Sequence, residues 1–291
     1  MNSRLMKIKC NNCGAEYRIN SRGELICSYC GSKIYLNDKD FEEYQKARDE
    51  MLLKDRFNQD DVNNNGDYLG LWNGENSIRL ADNIHCKYYY DFEKENKEIY
   101  INKDKLIIIY NDKNIVDIIK NNLNNLVYPS ADIKGLSKYL PQIIFYKELK
   151  DGRVIVGYEK SENVYPLYLM KDLDAKQVAW IISRMENLGC LLEFNEIDFS
   201  KIDIKDFYFN PKTHEIFLLD GWEYIQNLNS KQNYLHLIRE IALQILNEST
   251  APEMCIDFLK SKPEDNAYDD FSKWDNVIEN GFNGHNFHRF K

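Results

Sequence analysis

Four cysteines arranged as two Cys-x-x-Cys pairs constrain the start of this chain more than any other feature. The pairs are Cys10 with Cys13 and Cys27 with Cys30, and each is followed by a glycine that permits the tight turn around a metal-bound sulfur. Thirteen residues separate the pairs, which is enough for a short hairpin that brings them together. The spacing therefore predicts a four-cysteine zinc ribbon over residues 1–37.

Zinc coordination and disulfide bonding are the two alternatives for these cysteines. Disulfides need an oxidising compartment, and the first residues lack the apolar segment of a secretory signal peptide. The other cysteines, Cys86, Cys190 and Cys255, are isolated and odd in number, as expected for reduced thiols. No window approaches roughly 18 apolar residues, so we expect a cytoplasmic protein without a membrane partner. Four thiolates fill a tetrahedral site, so we expect the zinc to be structural and not catalytic.

The charge of the chain is distributed unevenly between the ribbon and the rest. Residues 1–37 contain six Lys or Arg and two Glu, and because the whole chain has a net charge of −9, the remainder carries −13. A basic ribbon can bind nucleic-acid phosphates, but four thiolates and Zn²⁺ together contribute about −2 and halve the local surplus. We therefore expect a protein partner, docked on the ribbon or on the domain behind it, ahead of nucleic acid. A purely structural ribbon is the remaining alternative.

The length of 291 residues leaves room for a second, larger domain after the ribbon. The run from Phe41 to about Phe57 predicts a connecting helix, and the polar stretch that ends at Gly66 has the composition of a linker. These patterns divide the chain into a ribbon, a connecting segment over residues 38–66 and a main domain over residues 67–291.

Hydrophobic periodicity predicts a strand-rich half and a helical half within the main domain. The predicted strands are Ser77–Leu80, Tyr88–Phe92, Glu98–Ile101, Leu106–Tyr110, Ile143–Glu148 and Val154–Tyr158. The predicted helices are Ile115 to about Leu126, 175–193, 231–247, 252–261 and 266–280. We expect an α+β protein with one lobe over about 67–160 and a second over about 161–291.

The stretch 202–222 resembles the catalytic loop, hairpin and metal-binding Asp of protein kinases. In that family the loop reads H-R-D-L-x-x-x-N, and a strand and D-F-G follow it. The resemblance places Asp203 at the catalytic-loop Asp, Lys205 at the Lys two residues later and Asp220 at the magnesium-binding Asp. It implies a bilobal protein-kinase-like fold for residues 67–291.

The C-terminal end of the chain carries a second, more specific resemblance. The segments Phe271–Ile278 and Gly284–Phe290 are similar to the ending of a divergent kinase-like family of bacteriophages and mobile elements. The Ala179-Trp180 pair and the segment Leu218–Tyr224 also resemble that group, whose members often carry a small N-terminal module.

The chain departs from the kinase pattern where nucleotide phosphates would bind. Residues 88–98 contain no glycine for a phosphate clamp, and the position of the Asn that binds the second magnesium is Tyr208. Strand Leu106–Tyr110 has no central lysine, which leaves Lys105 at its edge as the candidate cofactor-binding residue, and the helix at 115–126 has no Glu to pair with it. Only 13 steps separate Asp220 from Asn233, too few for a peptide-binding activation segment.

These departures favour a zinc-binding pseudokinase, a regulatory or protein-binding module without ordinary phosphotransfer and without ATP and Mg²⁺ as working cofactors. One alternative is an atypical ATP- and Mg²⁺-dependent kinase of the Ser/Thr type. It would use Asp203 as base, Asp220 as metal ligand and Lys105 as the strand lysine. A second alternative is nucleic-acid binding through the ribbon. For both aspartates the structural alternative is a helix cap or a solvated turn residue.

Overall fold

The computed structural model describes residues 7–10, 12, 16–18, 24–26, 30–35, 67–81, 84–129, 135–228 and 233–285. The chain divides into two compact units, residues 1–63 and 64–291. The predicted connecting segment lies outside the described residues, so the three-part division of the chain stays a prediction. Within the described ranges, no helix has the length and apolar composition needed to cross a bilayer.

The first unit contains two short antiparallel hairpins. Strand β1 (Lys7–Lys9) pairs with β2 (Glu16–Arg18), and β3 (Glu24–Ile26) pairs with β4 (Lys33–Tyr35). Each Cys-x-x-Cys pair falls in the connection of one hairpin. Gly31, directly after Cys30, has φ of 69°, the left-handed conformation that glycine adopts without strain.

The second unit begins with a strand-rich half. Strands β5 (Asn76–Ala81) and β6 (Ile84–Tyr88) form a hairpin, and an antiparallel sheet follows with the order β10-β11-β9-β8-β7. Its strands are β7 (Tyr90–Lys94), β8 (Lys97–Ile101), β9 (Lys105–Tyr110), β10 (Ile143–Glu148) and β11 (Val154–Glu159). Helix α1 (Ile115–Asn124) lies between β9 and β10 in the chain.

The central strand β9 is apolar at every position after Lys105 because both of its faces are buried. Leu106 and Ile108 point into the main core, whereas Ile107 and Ile109 belong to a second apolar cluster under the β5–β6 hairpin. A strand that is buried on both sides reads as a continuous apolar run, as this one does.

The helical half is built around α2 (Ala175–Phe194), whose first turn is closed by a capping box between Asp174 and Gln177. Three further helices complete this half: α3 (Asn233–Ile245), α4 (Glu253–Lys260) and α5 (Ala267–Gly281). Two small sheets, β12-β14-β15 and β13-β16, also belong to this half. Their strands are β12 (Tyr165–Pro166), β13 (Ile197–Phe199), β14 (Phe207–Asn210), β15 (Glu215–Leu218) and β16 (Ile225–Asn227).

The α+β prediction is confirmed, and this arrangement of halves is consistent with a kinase-like fold. The predicted single strand Tyr88–Phe92 was wrong, because the chain changes layer at Tyr89. Tyr88 ends the outer hairpin and packs edge-on against Tyr100 at 5.2 Å, whereas the Tyr89 N–H already bonds the Ile101 carbonyl of the main sheet.

The helical half buries three charged side chains next to one another. Arg239 of α3 donates two hydrogen bonds to Asp270 of α5, at 2.8 and 2.7 Å, and a Glu186 carboxylate oxygen of α2 lies 4.0 Å from the same guanidinium. Both carboxylates are fully buried. Burial, with the neighbouring Asp270 adding to it, raises the pKa of Glu186 to about 9.

We expect Glu186→Gln to stabilise the protein at alkaline pH. Because the folded pKa of Glu186 lies above its unfolded value, its contribution to stability is complete below about pH 4 and is lost as pH rises toward about 9. Glutamine does not ionise, so urea denaturation at pH 8 should show a gain of about 1–3 kcal/mol over wild type that disappears near pH 4. Asp270→Asn is the control, because it should destabilise at both pH values. A Gln variant that is equally destabilised at both would contradict the expectation.

Candidate functional site

The β7–β8 hairpin covers the segment that resembles a catalytic loop. Lys94 and Lys97 are cross-strand partners, so only Glu95 and Asn96 form the turn. The tip is tied to the segment by an exposed ion pair of 2.9 Å between Lys201 and Glu95. In the resemblance to kinases, this hairpin corresponds to the glycine-rich loop that covers the phosphates. Its two-residue turn contains no glycine.

Lys97 carries the innermost ion pairs of the site. Its Nζ lies 2.7 Å from Asp220 Oδ1 and 2.5 Å from Glu223 Oε1, and the three side chains are 2–3% exposed. Tyr110 Oη lies 3.4 Å from the same Asp220 oxygen. Burial opposes the charge on Lys97, but Asp220 and Glu223 outweigh it and hold the pKa of the Lys97 ammonium above its ordinary value.

Lys94, directly across the hairpin from Lys97, makes a second group of contacts. Its Nζ lies 2.5 Å from Asp206 Oδ2 and 3.2 Å from Asp203 Oδ2. Asp206 is completely buried, whereas the Asp203 side chain is 48% exposed. The site therefore joins two lysines of one hairpin to four carboxylates of the loop and the segment after β15.

The loop itself is a short capped turn. Asp203 accepts a hydrogen bond of 2.7 Å from the Lys205 N–H, and Asp206 accepts one of 2.8 Å from the Asp203 N–H. The Lys205 ammonium lies 4.8 Å from the centroid of the Phe92 ring. Asp203 thus acts as a cap, which is the structural alternative raised by its sequence, and about half of its side chain is exposed.

The structure brings Asp203 and Asp220 to one ion-paired group but leaves Lys105 outside it. Lys105 Nζ lies 3.1 Å from Asp104 at the end of β9, and its side chain is 42% exposed. The lysine that meets Asp220 is Lys97, one strand away. In the sequence, Lys97, Ile99 and Ile101 are spaced two residues apart. Because side chains alternate along a strand, this spacing places all three on the same inward face of β8.

The residues around Asp220 do not fit a magnesium–nucleotide complex in this closed arrangement. Magnesium needs carboxylate oxygens that are free to coordinate it together with waters and phosphates, and one Asp220 oxygen already faces an ammonium. Tyr208 stands where kinases have the second metal-binding Asn, and it is buried among core side chains. Opening of the hairpin would be required before phosphates could reach Asp220.

The first unit holds two of the four predicted zinc ligands within the described residues. Cys10 Sγ and Cys30 Sγ are 3.7 Å apart. Two thiolates on a tetrahedral zinc, each about 2.3 Å from the metal, are about 3.8 Å apart, whereas the sulfurs of a disulfide are about 2.05 Å apart. Cys13 and Cys27 lie outside the described residues, and no group of three metal-ligating side chains occurs within them. The distance fits zinc, and the complete ligand set stays a prediction.

No protein-family model and no curated protein matches the chain. Solved structures that resemble it include kinases. WbdD, described as a bifunctional kinase-methyltransferase, matches at 11% identity and a TM-score of 0.46 over 69% of this chain. Vaccinia related kinase 3 matches at 10% identity and a TM-score of 0.41, over 74% of this chain and 80% of its own. The Cydia pomonella granulovirus kinase PK-1 matches at 11% identity and a TM-score of 0.38, over 60% of this chain and 74% of its own. The chain spans 47% of WbdD. At these values the likeness assigns neither an activity nor a substrate.

Proposed function

We propose that residues 64–291 form a pseudokinase, a kinase-like regulatory module that binds a protein partner and does not carry out ordinary phosphotransfer. The contact between Lys97 and Asp220, 2.7 Å long and almost fully buried, is the observation that supports this role. An internal ammonium stands where the magnesium-binding Asp of a kinase would meet its metal. The hairpin that supplies it has no glycines to wrap phosphates, so the closed hairpin presents a binding surface in place of a nucleotide site.

An atypical phosphotransferase is the second candidate, and one contact favours it. Active kinases require an ion pair between a strand lysine and a helix glutamate close to the metal-binding Asp. Here β9 and α1 lack those residues, but Lys97 and Glu223 form a pair of 2.5 Å beside Asp220. In this candidate the hairpin opens, Lys97 contacts the phosphates in place of Lys105, and Asp203 acts as base.

Titration with Mg-ATP separates the two candidates. For a pseudokinase we expect no binding heat in calorimetry and a melting shift below about 1 °C at millimolar Mg-ATP, because a ligand stabilises only the state that binds it. Saturable binding that is lost in Asp220→Asn, with the variant still folded, would refute the pseudokinase and support the enzyme. Asp104→Asn, which removes the partner of exposed Lys105, is the matched control and should behave as wild type.

We also propose that the first unit is a structural zinc ribbon that presents a docking surface for the protein partner. The 3.7 Å separation of Cys10 and Cys30 supports the metal, and the hairpin turns at both cysteine pairs support the ribbon. A closed site of four thiolates has no position for a substrate, so the zinc would act through folding alone.

A further inference from the structure

Asp206 is a buried carboxylate with too few partners beneath the β7–β8 hairpin. Its Oδ2 accepts hydrogen bonds from Lys94 Nζ and from the backbone N–H of Asp203. Its Oδ1 is enclosed and has no hydrogen-bond partner. Lys94 is also shared, because an Asp203 carboxylate oxygen lies 3.2 Å from the same ammonium. One lysine therefore serves two carboxylates.

Asp220 is a third carboxylate close to Asp206, and Lys97 does not supply enough positive charge to balance it. An added Cβ at Gly221 would lie 3.6 Å from Asp206 Cγ, which puts Asp206 directly beside the residue that follows Asp220. Lys97 is itself divided between Asp220 and Glu223. The titratable and charged groups that face this cluster are Lys94, Lys97, Asp203, Asp206, Asp220, Glu223, Tyr110, Tyr158 and Tyr208, with the Lys201–Glu95 pair at the hairpin tip.

The cluster holds four carboxylates against two ammonium groups. Buried carboxylates that exceed their cationic partners take up protons, because an uncompensated charge in the interior costs several kcal/mol. Asp206, Asp220 and Glu223 are all buried and each has one oxygen without a donor, and Asp206 is the most completely enclosed of the three. Asp203 is half exposed and can keep its charge in water.

We propose that Asp206 is a proton-dependent latch, which holds the β7–β8 hairpin closed over the loop when it is protonated and loosens the hairpin when it ionises. The latch regulates the cleft whose closure underlies the proposed pseudokinase function, so it rests on that function. Its physiological consequence is a surface that changes with pH, between a closed cleft and one in which Asp220 is accessible.

The direction of the pH dependence follows from the same geometry. Burial, with Asp220 as the next cause, raises the pKa of Asp206 to about 7. With the hairpin open, a solvated Asp has a pKa near 3.9. Protons therefore favour the closed hairpin, and closure weakens as pH rises from about 4 to about 7 and is constant above that range. The raised pKa of Glu223, caused first by burial, acts in the same direction.

Hydrogen exchange on the full chain tests the latch. The observable is the protection factor of amides in 90–101 between pH 5 and pH 8, corrected for intrinsic exchange and compared between wild type and Asp206→Asn. We expect wild-type protection of the hairpin to fall by about tenfold or more between pH 5 and pH 7.5. In Asp206→Asn, whose side chain carries no charge at any pH, hairpin protection should fall much less over this range, by the part that Glu223 contributes.

Asp104→Asn is the matched control, because it removes an exposed carboxylate outside the cluster and should keep the wild-type slope. Wild-type protection that does not depend on pH, or an Asp206→Asn slope equal to that of wild type, would overturn the latch. If the Asn variant fails to fold, ¹³C titration of aspartate side chains in wild type decides the question, since no aspartate titrating near pH 7 would also overturn it. No nucleotide enters these measurements, so Mg-ATP binding would refute the pseudokinase without affecting them.

Discussion

Replacing Lys97 with methionine is expected to lower the free energy of unfolding of the second unit by about 3–5 kcal/mol at neutral pH. The substitution leaves Asp220 and Glu223 side by side, 2% and 3% exposed, without the ammonium that lies 2.7 and 2.5 Å from them. Methionine fills a similar volume, so the loss is mainly electrostatic. Urea denaturation monitored by tryptophan fluorescence measures it.

Two variants show whether the loss comes from the buried charges. Lys105→Met removes a lysine from an exposed pair on the neighbouring strand and should cost less than about 1 kcal/mol. The triple variant Lys97→Met, Asp220→Asn, Glu223→Gln removes both stranded charges and should recover most of the stability. If Lys97→Met alone is as stable as Lys105→Met, the ion pairs of Lys97 contribute little to stability. The main support for a hairpin held closed by these pairs would then be lost.

The stability of Lys97→Met should also respond to divalent cations. With Lys97 gone, Asp220 and Glu223 offer oxygens to a cation, so millimolar Mg²⁺ should stabilise Lys97→Met more than wild type. A larger effect on the variant would mean that the lysine occupies the position a metal would otherwise take. An equal effect on the variant and on wild type would mean that Asp220 and Glu223 are too far apart to coordinate a cation together.

The regular elements of this protein could be predicted because their signals are local. Helix α2 begins at the predicted residue 175, directly after its cap Asp174, and β9 and β11 match their apolar runs closely. One contact at the start of α2 is not local, because the Thr250 hydroxyl accepts the Ala175 N–H. The contact joins residues 75 positions apart, and nothing in the sequence around Thr250 signals it.

The centre of the candidate site could be predicted only in part, because its contacts join residues that are far apart in the sequence. Asp203 and Asp220 were found because they belong to a motif of known order. Lys97 lies in a run of alternating charges, and its burial depends on Asp220, 123 residues away. Asp206 was missed because a buried Asp and an exposed turn Asp have the same local sequence. The kinase resemblance implied a lysine near Asp220, and the sequence selected Lys105, because only the fold shows that the lysine in contact with Asp220 comes from β8.

Removing zinc is expected to have the largest effect in the molecule, and to be confined to one unit. Structural zinc supplies roughly 10–16 kcal/mol of apparent folding free energy in small modules, far more than hairpins of three-residue strands can supply by packing. Chelation, or Cys10→Ser, should therefore abolish hydrogen-exchange protection across residues 7–35. Elemental analysis should give one zinc per chain for wild type and almost none for the variant.

The second unit should keep its melting temperature and its protection when the metal is removed, because residues 64–291 contain their own core. Cys86→Ala is the control, since this buried cysteine lies in the β5–β6 hairpin and its loss should leave the zinc content unchanged. If chelation instead melts the whole chain in one transition, the ribbon is part of the folding unit of the kinase-like body and not a separate docking module. In that case the partner surface would have to be sought on the closed cleft, where Lys94 and Lys97 hold the hairpin against the loop.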